Sequence, residues 1–431
     1  MRFLTKIKKG CVIACMMPLM CFLRLIRPLI RVRFIEFPQE SPSIIYSFYR
    51  YFEEKSWDYL PKKNVLPLDV VIVFGSGVNA LIIINKFVVK LEKRVCFSLR
   101  FYWFTYRFAH KFICYLTDFE KVFGEGWIIR RDIALPDPFC SVKYPPIFHF
   151  RSKEVREGEK YLEKFFQYKN DMPIATFSNR DKAFYTKYIK VLEVTTALAN
   201  NCRDSSIKDF YEAIIKTSEK YFCFRMGKLA LEPLGIEKEN VIDYPNSKFK
   251  SDFLDFYIFA RTKFYIGDDS GINYIPYAFR RKMGIVNCPV FTVYSVNAYK
   301  FYSHLLNNSC IIKKYYSIKE NRLLNLSEIV SIFIKNDKFD IYSGLAFEDY
   351  GRDYIYETLG VKVIGNTPQE ILDLTLEVEK RASDEWEEDY DHFKREDEFW
   401  KIMGAPYKSK DRFLFPRIGY QYLKENEWLL Q

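Results

Sequence analysis

The chain has 431 residues, 49% of them hydrophobic, and a net charge of +11 at neutral pH. This length predicts two or three domains, and the hydrophobic content excludes an intrinsically disordered chain. The positive charge favours anionic partners: nucleic acids, acidic lipids or phosphate-bearing small molecules.

The first segment, residues 1–33, combines basic and apolar side chains. Eight lysines and arginines precede the first acidic residue, Glu36, and they flank an apolar run over residues 11–23. This run is shorter than the roughly 20 residues that a membrane-spanning helix needs, and no small-x-small cleavage site follows it. We predict a peripheral segment that is attracted to an anionic membrane surface at the cytoplasmic face of the inner membrane, with a signal peptide as the alternative.

The cysteines and histidines favour a reduced protein without a metal. The ten cysteines contain no Cys-x-x-Cys pair, which is typical of buried thiols in a cytosolic protein. The four histidines lie far apart in sequence and show no local spacing of metal ligands. We therefore predict no metal and no cofactor.

Residues 34–170 contain the pattern of a β-α-β unit. The β-branched run at 70–74 predicts a buried strand, residues 79–92 a helix, and the apolar run at 95–99 a second, parallel strand. A Gly-x-Gly sequence at 75–77 lacks the third glycine of a dinucleotide-binding fingerprint. A plain strand-to-helix turn is favoured there over a nucleotide loop.

The alternation of strands and helices restarts after a predicted domain boundary near residue 170. It predicts a doubly wound α/β domain over 171–350, with strands at 173–177, 221–225, 241–242, 264–266 and 283–286 and helices from about 206, over 252–261 and from 273. Residues 351–431 are predicted to form a helical extension. There, Thr367 and Glu370 make a capping box and the acidic run 384–389 forms a solvated surface.

The carboxyl ends of the strands in this second domain carry the predicted ligand site, because ligands bind at that edge of open α/β sheets. The strand at 264–266 is followed by a turn whose Gly267, Ser270 and Gly271 are predicted to approach a phosphate group. A tight structural turn explains these residues equally well. The adjacent acids Asp268 and Asp269 are weak indicators of a metal site.

Three arginines lie near the same edge. Arg180 follows the first strand of the domain, Arg225 ends the second, and Arg203 precedes the helix between them. Guanidinium groups bind phosphate oxygens bidentately and offset the charge that develops on a departing nucleotide. We predict that the arginines bind a diphosphate, although each alone is more often a salt-bridge partner. Asp181 is the candidate catalytic base, which is otherwise unassigned.

Several short motifs follow one another along the chain, at 180–185, 203–205, 225–227, 243–247, 267–271 and 366–371. In order and spacing they resemble a family of uncharacterised glycosyltransferases of GT-B-like architecture from bacterial surface-polysaccharide gene clusters. The resemblance covers most of the chain. More distantly, the chain is similar to fucosyltransferases in which an arginine at a strand end, here Arg180, binds the nucleotide diphosphate.

This resemblance implies two Rossmann-like doubly wound domains and metal-independent transfer from a nucleotide-sugar donor to a glycan or lipid-linked acceptor. The N-terminal domain would bind the acceptor and the C-terminal domain the donor, with Gly227 near the phosphates and Asp243 and Asn246 near the nucleoside. Ser178 stands where such families often carry His. The alternative is a non-catalytic, membrane-associated scaffold. Nucleic-acid binding is not expected, because the basic residues concentrate at the N-terminus.

Overall fold

The computed structural model describes three strands near the N-terminus by their backbone, and most of the chain from residue 146 onwards. Besides the strands at 30–37, 68–75 and 97–101, the described residues are 17–18, 21–26, 146, 148–169, 171–183, 186, 202–290, 293, 308–333, 359–404 and 415–431. The chain divides into two compact units, 1–133 and 134–431.

The first unit contains a parallel sheet in the order β1-β2-β3. Its strands are β1 (Ile30–Phe37), β2 (Leu68–Gly75) and β3 (Phe97–Phe101). The predicted strands at 70–74 and 95–99 and their parallel pairing are confirmed, the second with a shift of two residues. The sequence pattern misses β1, whose first four residues belong to the basic segment 1–33. The helix predicted at 79–92 and residues 76–77 of the Gly-x-Gly turn lie outside the described residues.

Among the described residues of the second unit there are ten strands in two sheets. They are β4 (Ile174–Ser178), β5 (Phe222–Arg225), β6 (Val241–Asp243), β7 (Thr262–Asp268), β8 (Lys282–Cys288), β9 (Ser309–Ile312), β10 (Lys314–Ser317), β11 (Arg322–Leu323), β12 (Val361–Ile364) and β13 (Arg417–Ile418). The smaller of the two sheets is antiparallel and has the strand order β11-β10-β12.

The large sheet has seven strands in the order β13-β9-β8-β7-β4-β5-β6, and all its neighbours are parallel. The chain runs from β4 outwards to β5 and β6, and then returns to place β7 on the other side of β4. This is the strand order of a doubly wound, Rossmann-like sheet, with its switch point between β4 and β7. The predicted α/β class and the parallel sheet are therefore confirmed.

Eight α-helices are described in the second unit. They are α1 (Ser152–Phe166), α2 (Tyr211–Thr217), α3 (Asp252–Arg261), α4 (Tyr274–Ala278), α5 (Leu326–Phe333), α6 (Pro368–Ala382), α7 (Tyr390–Ile402) and α8 (Tyr420–Glu425). α6 packs along β7, β8 and β9 and against α2. Gly284 allows this close approach, because an added Cβ there would lie 3.0 Å from Val378 Cγ2 in α6.

Local sequence signals account for the helix starts. The Thr367 hydroxyl accepts a hydrogen bond from the Glu370 N–H at 3.2 Å, and the Glu370 carboxylate accepts one from the Thr367 N–H at 2.9 Å. This confirms the predicted capping box at the start of α6. Ser251 caps α3 in the same way by accepting from the Leu254 N–H at 3.2 Å, and α3 has the predicted bounds.

The C-terminal segment belongs to the second compact unit. Its predicted helices are present as α6, α7 and α8, and its strand β13 also pairs with β9 at the edge of the large sheet. The boundary predicted near residue 170 differs from the division at residue 133. The reason is α1, whose Phe166 packs edge-on against Phe224 of β5.

The acidic run 384–389 is solvated only in part. The Arg381 guanidinium lies over the Trp386 ring, 4.6 Å from its centroid. Glu388 forms ion pairs with both Arg381, at 2.9 Å, and Arg417, at 3.0 Å. This run therefore fixes the end of α6 against β13, which its composition alone did not indicate.

The N-terminal segment is described only over residues 17–18 and 21–26, and residues 21–25 are helical. Phe22 and Leu25 are exposed. Among the described residues, no helix has the length and apolar character that crossing a membrane requires. Of the five described cysteines, Cys202, Cys223, Cys288 and Cys310 are buried free thiols, as predicted, whereas Cys21 is an exposed free thiol.

Candidate functional site

The switch point lies between the carboxyl ends of β4 and β7, where Ser178 pairs in register with Gly267. The chain leaves these strands through two loops, at 179–181 and 269–271. In doubly wound sheets the connections diverge at this point and leave a crevice, which is where ligands bind. The sequence predicted phosphate ligands on these two loops, and the structure brings the loops side by side.

The carboxylate of Asp268 links four parts of the chain at this point. Its Oδ2 accepts hydrogen bonds from the Arg180 backbone N–H, at 2.7 Å, and from the Ser205 hydroxyl. Its Oδ1 accepts one from the Asn287 side-chain amide at 2.8 Å. Since Asp268 is fully buried, these bonds replace its lost hydration. Asp268 therefore holds the ends of β4, β7 and β8 in a fixed relation to the loop at 203–206.

The electrostatic environment of Asp268 has opposing components. Burial raises the pKa of its carboxyl to about 6, while the hydrogen bonds from Ser205, Arg180 and Asn287 and the charge of Lys313 lower it. The net shift is upwards because desolvation of the charged form outweighs those contacts. Asp268 is thus a structural carboxylate that changes charge close to neutral pH.

A layer of hydroxyl groups lies beside this carboxylate. The Tyr265 hydroxyl donates to Asn273 Oδ1 at 2.6 Å and lies 2.5 Å from Ser178 Oγ. The Asn273 amide in turn donates to the Asp268 carbonyl oxygen at 3.0 Å. Gly267 is required by this layer, because an added Cβ would lie 2.7 Å from Ser178 Oγ and would overlap the Tyr265 hydroxyl. Packing therefore explains the glycine at position 267 without a ligand.

A pair of buried asparagines secures the end of β8. The Asn287 side-chain oxygen accepts from the Asn366 N–H at 2.8 Å, and the Asn366 side-chain oxygen accepts from the Asn287 N–H at 2.6 Å. Asn287 has a φ of +53°, a left-handed conformation that asparagine tolerates better than most residues. The motif at 366–371 therefore connects the start of α6 directly to the switch point.

Two of the predicted arginines form ion pairs with carboxylates at the switch point. Arg180 Nη1 contacts Asp204 Oδ1, and Arg203 Nη1 lies 3.9 Å from Asp269 Oδ2. Arg180 and Asp269 are buried, whereas Arg203 retains 14% of its side-chain exposure. The ion pair of Arg203 is the longer of the two, and its side chain is more exposed than that of Arg180.

Lys313, directly after β9, is a third cation of this cluster. Its ammonium donates to the Asp204 carbonyl oxygen at 3.1 Å, and only 3% of the residue is exposed. Burial raises the pKa of the nearby Cys202 thiol, and the charges of Lys313, Arg203 and Arg180 all lower it. The three cations therefore surround one buried thiol, although their sequence positions are far apart.

Arg225 is held away from this cluster. Its Nη1 donates to the Glu232 carbonyl oxygen at 2.6 Å and to Asp243 Oδ1 at 3.3 Å, and its Nη2 donates to Asn179 Oδ1 at 3.0 Å. Only 2% of Arg225 is exposed. In this structure the guanidinium connects the ends of β4, β5 and β6, and a direct phosphate contact would require these bonds to change.

The remaining predicted site residues also have structural partners. Asp243 Oδ2 accepts from the Leu234 N–H at 2.9 Å and from the Asn246 amide at 2.7 Å. Asp243 and Asn246 lie at the carboxyl end of β6. This strand is two positions from β4 in the sheet, so the two residues lie roughly 10 Å from the end of β4 at ordinary strand spacing. Gly227 packs against Pro245, whose Cγ would lie 3.2 Å from an added Cβ.

Asp181, the candidate base, connects two loops. Its Oδ1 accepts from the Ala183 N–H at 2.9 Å, and its Oδ2 accepts from the Leu231 N–H at 2.8 Å. These bonds tie the loop after β4 to the loop after β5. The carboxylate is half-buried, and both its oxygens already accept a hydrogen bond from the main chain.

Ser270 and Gly271 begin the short 3₁₀ turn Gly271–Asn273. Both residues are half-buried, and the Ser270 hydroxyl makes one long hydrogen bond to Asn273 Oδ1 at 3.4 Å. No group of acidic, histidine or cysteine side chains with the arrangement of a metal site occurs among the described residues.

Sequence reasoning missed Asn287, Asn366, Lys313 and Asp204. Asp204 and Asn366 lie within the motifs at 203–205 and 366–371 but were given no role, and no motif or local spacing marks Asn287 or Lys313. Their roles depend on partners that are 79 positions apart for the two asparagines and 109 for Lys313 and Asp204. A rule that inspects every polar residue just after a parallel strand would have found Asn287 and Lys313.

Neither a protein-family model nor a curated protein matches this chain. Among solved structures, the crystal structure of the glycosyl transferase family 9 protein from Veillonella parvula DSM 2008 is similar over 77% of this chain and 98% of that chain. The two share 10% sequence identity with a TM-score of 0.35. That degree of similarity is too low to transfer a fold or a function.

Proposed function

We propose that this chain is a glycosyltransferase that uses a nucleotide-sugar donor. One observation carries the proposal: Arg180, Arg203 and Lys313 converge at the switch point of a Rossmann-ordered parallel sheet. That edge is where sheets of this order bind nucleotides. Cationic side chains at this point are suited to the diphosphate of a nucleotide sugar.

Within this site we assign the first phosphate contact to Arg203. Its partner Asp269 is 3.9 Å away, which is a weaker attraction than a close, bidentate pair provides. Arg180 is the second contact, after a shift of Asp204, and the Ser270 hydroxyl supplies a neutral donor on the opposite loop. Arg225 contributes by holding the loops in place. Asp243 and Asn246 lie beside the nucleoside of the donor.

The proposed chemistry is metal-independent transfer. As the bond from the sugar to the diphosphate breaks, negative charge develops on the leaving nucleotide, and the two guanidinium groups offset it. Asp181 is tied to two main-chain N–H groups, so its first role is to fix the loops. The base that activates the acceptor hydroxyl stays unassigned, and the acceptor is proposed to be a glycan or a lipid-linked glycan.

The test is ligand-induced stabilisation of the purified chain by a panel of nucleotides and nucleotide sugars, with and without EDTA. A ligand at 100 times its dissociation constant stabilises by about 2.7 kcal/mol. We expect a selective shift with one nucleoside diphosphate, unaffected by EDTA, lost in Arg203→Ala and retained in the exposed control Lys216→Ala. A folded parent that shows no shift with any nucleotide contradicts the proposal.

A second candidate function is a non-catalytic scaffold. The observation that favours it is that each predicted arginine faces a carboxylate: Arg180 with Asp204, Arg203 with Asp269, and Arg225 with Asp243. Incubation of the parent with the nucleotide sugar that stabilises it separates the two functions. Slow release of free nucleotide, abolished in Arg203→Ala, indicates an enzyme, and binding without release indicates a scaffold.

We also propose that residues 1–33 hold the protein at the cytoplasmic face of an anionic membrane. Phe22 and Leu25 are exposed, three positions apart on the helical segment 21–25, and apolar side chains on one helix face insert at a membrane surface. In a flotation assay, we expect binding to phosphatidylglycerol vesicles, but not to phosphatidylcholine vesicles. Leu25→Glu should reduce binding, whereas Ile215→Glu, at an exposed position of α2, should not. Equal binding by both variants contradicts the assignment.

A further inference from the structure

A cavity of about 350 Å³ lies at the amino ends of β8, β9 and β13, on the opposite edge of the large sheet from the switch point. Its floor includes Lys282 and Met283 at the start of β8, and Arg417 at the start of β13. Its wall comes from the end of α6 and the residues after it, with Arg381, Trp386 and Glu388. The cavity is large enough for a metabolite-sized molecule and belongs entirely to the second unit.

Lys282 is the unusual residue of this cavity. It is half-buried, and within the described part of the chain its ammonium makes no hydrogen bond or ion pair. Burial and the charge of Arg381 lower its pKa, while Asp384 raises it to a smaller extent. A partly buried ammonium beside another cation is electrostatically unfavourable, and a bound anion would relieve that cost.

The wall of the cavity is held rigid by ion pairs. Arg381 donates from Nε to Glu377 at 2.8 Å and from Nη1 to Glu388 at 2.9 Å. Glu388 also accepts from Arg417 at 3.2 and 3.0 Å. This network places the Arg381 guanidinium flat against the Trp386 ring, 4.6 Å from its centroid.

Two donors of this wall lack an acceptor. Arg381 Nη2 and Trp386 Nε1 are both buried and have no hydrogen-bond partner among the described residues. Unpaired buried donors are uncommon in folded proteins, and each one calls for an explanation. Both residues line the same cavity as Lys282, so a ligand there supplies the missing oxygen acceptors once the wall opens onto these two buried atoms.

We propose that this cavity binds a small organic anion that presents a carboxylate or phosphate group. Its oxygens bind the Lys282 ammonium, with Arg381 and Trp386 as further donors, and its hydrocarbon part packs against Met283 and Val378. The site is distinct from the proposed nucleotide site and does not depend on it. Anions are favoured over neutral polyols because the unsatisfied groups are all donors, and two of them are cationic.

The test is titration of the full-length chain with acetate, pyruvate, inorganic phosphate and glycerol 3-phosphate at constant ionic strength, followed by calorimetry and thermal unfolding. We expect saturable binding by the carboxylates or by the phosphates, and the group that responds identifies the ligand chemistry. Sodium chloride at the same ionic strength should give no saturable response.

Lys282→Met should weaken that binding at least 10-fold, and Trp386→Phe, which keeps the aromatic ring under Arg381, should weaken it less. Lys220→Met, at a lysine that is 71% exposed, is the matched control. Arg203→Ala should keep the binding that Lys282→Met loses, which separates this site from the nucleotide site. No saturable response in the parent, or equal affinity in parent, Lys282→Met and Trp386→Phe, overturns the proposal.

Discussion

The backbone N–H of Arg180 donates a 2.7 Å hydrogen bond to the carboxylate of Asp268, 88 positions further along the chain. This bond closes the switch point between β4 and β7, and Ser205 and Asn287 use the same carboxylate. Asp268 therefore holds together the two loops, 179–181 and 269–271, that the sequence predicted to bind a ligand.

The first prediction concerns Asp268 and pH. Its pKa is about 6 in the folded protein, against an ordinary value of 3.8. The folded state therefore keeps a proton that the unfolded chain has lost, and the contribution of Asp268 to stability falls as the pH rises from about 4 to about 6. Asp268→Asn removes this titration. The free energy of unfolding of the parent relative to this variant should therefore be about 2 kcal/mol larger at about pH 4.5 than at about pH 7.5.

Urea unfolding at the two pH values measures this difference. Asp171→Asn, at an exposed position, is the control variant. A stability difference between parent and Asp268→Asn that does not change with pH would show that the folded and unfolded pKa values are alike.

The second prediction concerns Arg225. Removing its guanidinium takes this donor away from the Glu232 carbonyl oxygen, Asp243 Oδ1 and Asn179 Oδ1. Loss of one partner from a buried ion pair costs about 3–5 kcal/mol, so Arg225→Met should be destabilised by about that amount in urea unfolding. Lys216→Met, which breaks an ion pair with Glu219 at the surface, should cost no more than about 1 kcal/mol.

A different outcome would reassign Arg225. If Arg225→Met unfolds at the same urea concentration as the parent but no longer responds to nucleotides, the residue binds ligand and is not a structural link.

The third prediction concerns Asn287, which combines a φ of +53° with three buried hydrogen bonds. Asn287→Ala loses both side-chain bonds and keeps the unfavourable left-handed backbone. Asn287→Gly loses the same bonds, but glycine adopts the left-handed conformation without strain, which should stabilise this variant by about 1 kcal/mol relative to Asn287→Ala. Both variants should be less stable than the parent, and the glycine variant should be the more stable of the two in thermal unfolding. The reverse order would mean that the backbone here is unstrained.

The fourth prediction concerns Gly267 and Tyr265. Gly267→Ala places a methyl group against the Tyr265 hydroxyl and Ser178, and overpacking of this kind costs about 1–3 kcal/mol. Tyr265→Phe removes the hydroxyl and with it much of the clash. In a double-mutant cycle, the cost of Gly267→Ala should be smaller in the Tyr265→Phe background, by about 1 kcal/mol or more. Strict additivity would indicate that the two groups do not touch.

Elements defined by short-range patterns were predictable. The capping box of Thr367 and Glu370 spans three positions, and the bounds of α3 follow from Ser251 and its apolar run. Five strands of the large sheet, β4 to β8, appeared as apolar or aromatic runs of two to five residues, whereas β9 and β13 were not predicted. The acidic run 384–389 was misjudged because nothing within it shows that Arg381 and Arg417 lie beside it.

The sequence by itself determined the bounds of α3, the start of α6 and strands β2 to β8, since hydrophobic periodicity and caps act within a few residues. Through the parallel α/β alternation it also predicted that the ligand site lies at the carboxyl ends of the strands. Only the tertiary structure decided that β7 returns beside β4, that Arg180, Arg203 and Arg225 each face a carboxylate, and that Lys282 borders a cavity. Those outcomes depend on contacts between residues tens of positions apart, whose geometry is fixed by packing of the whole unit and not by any local preference.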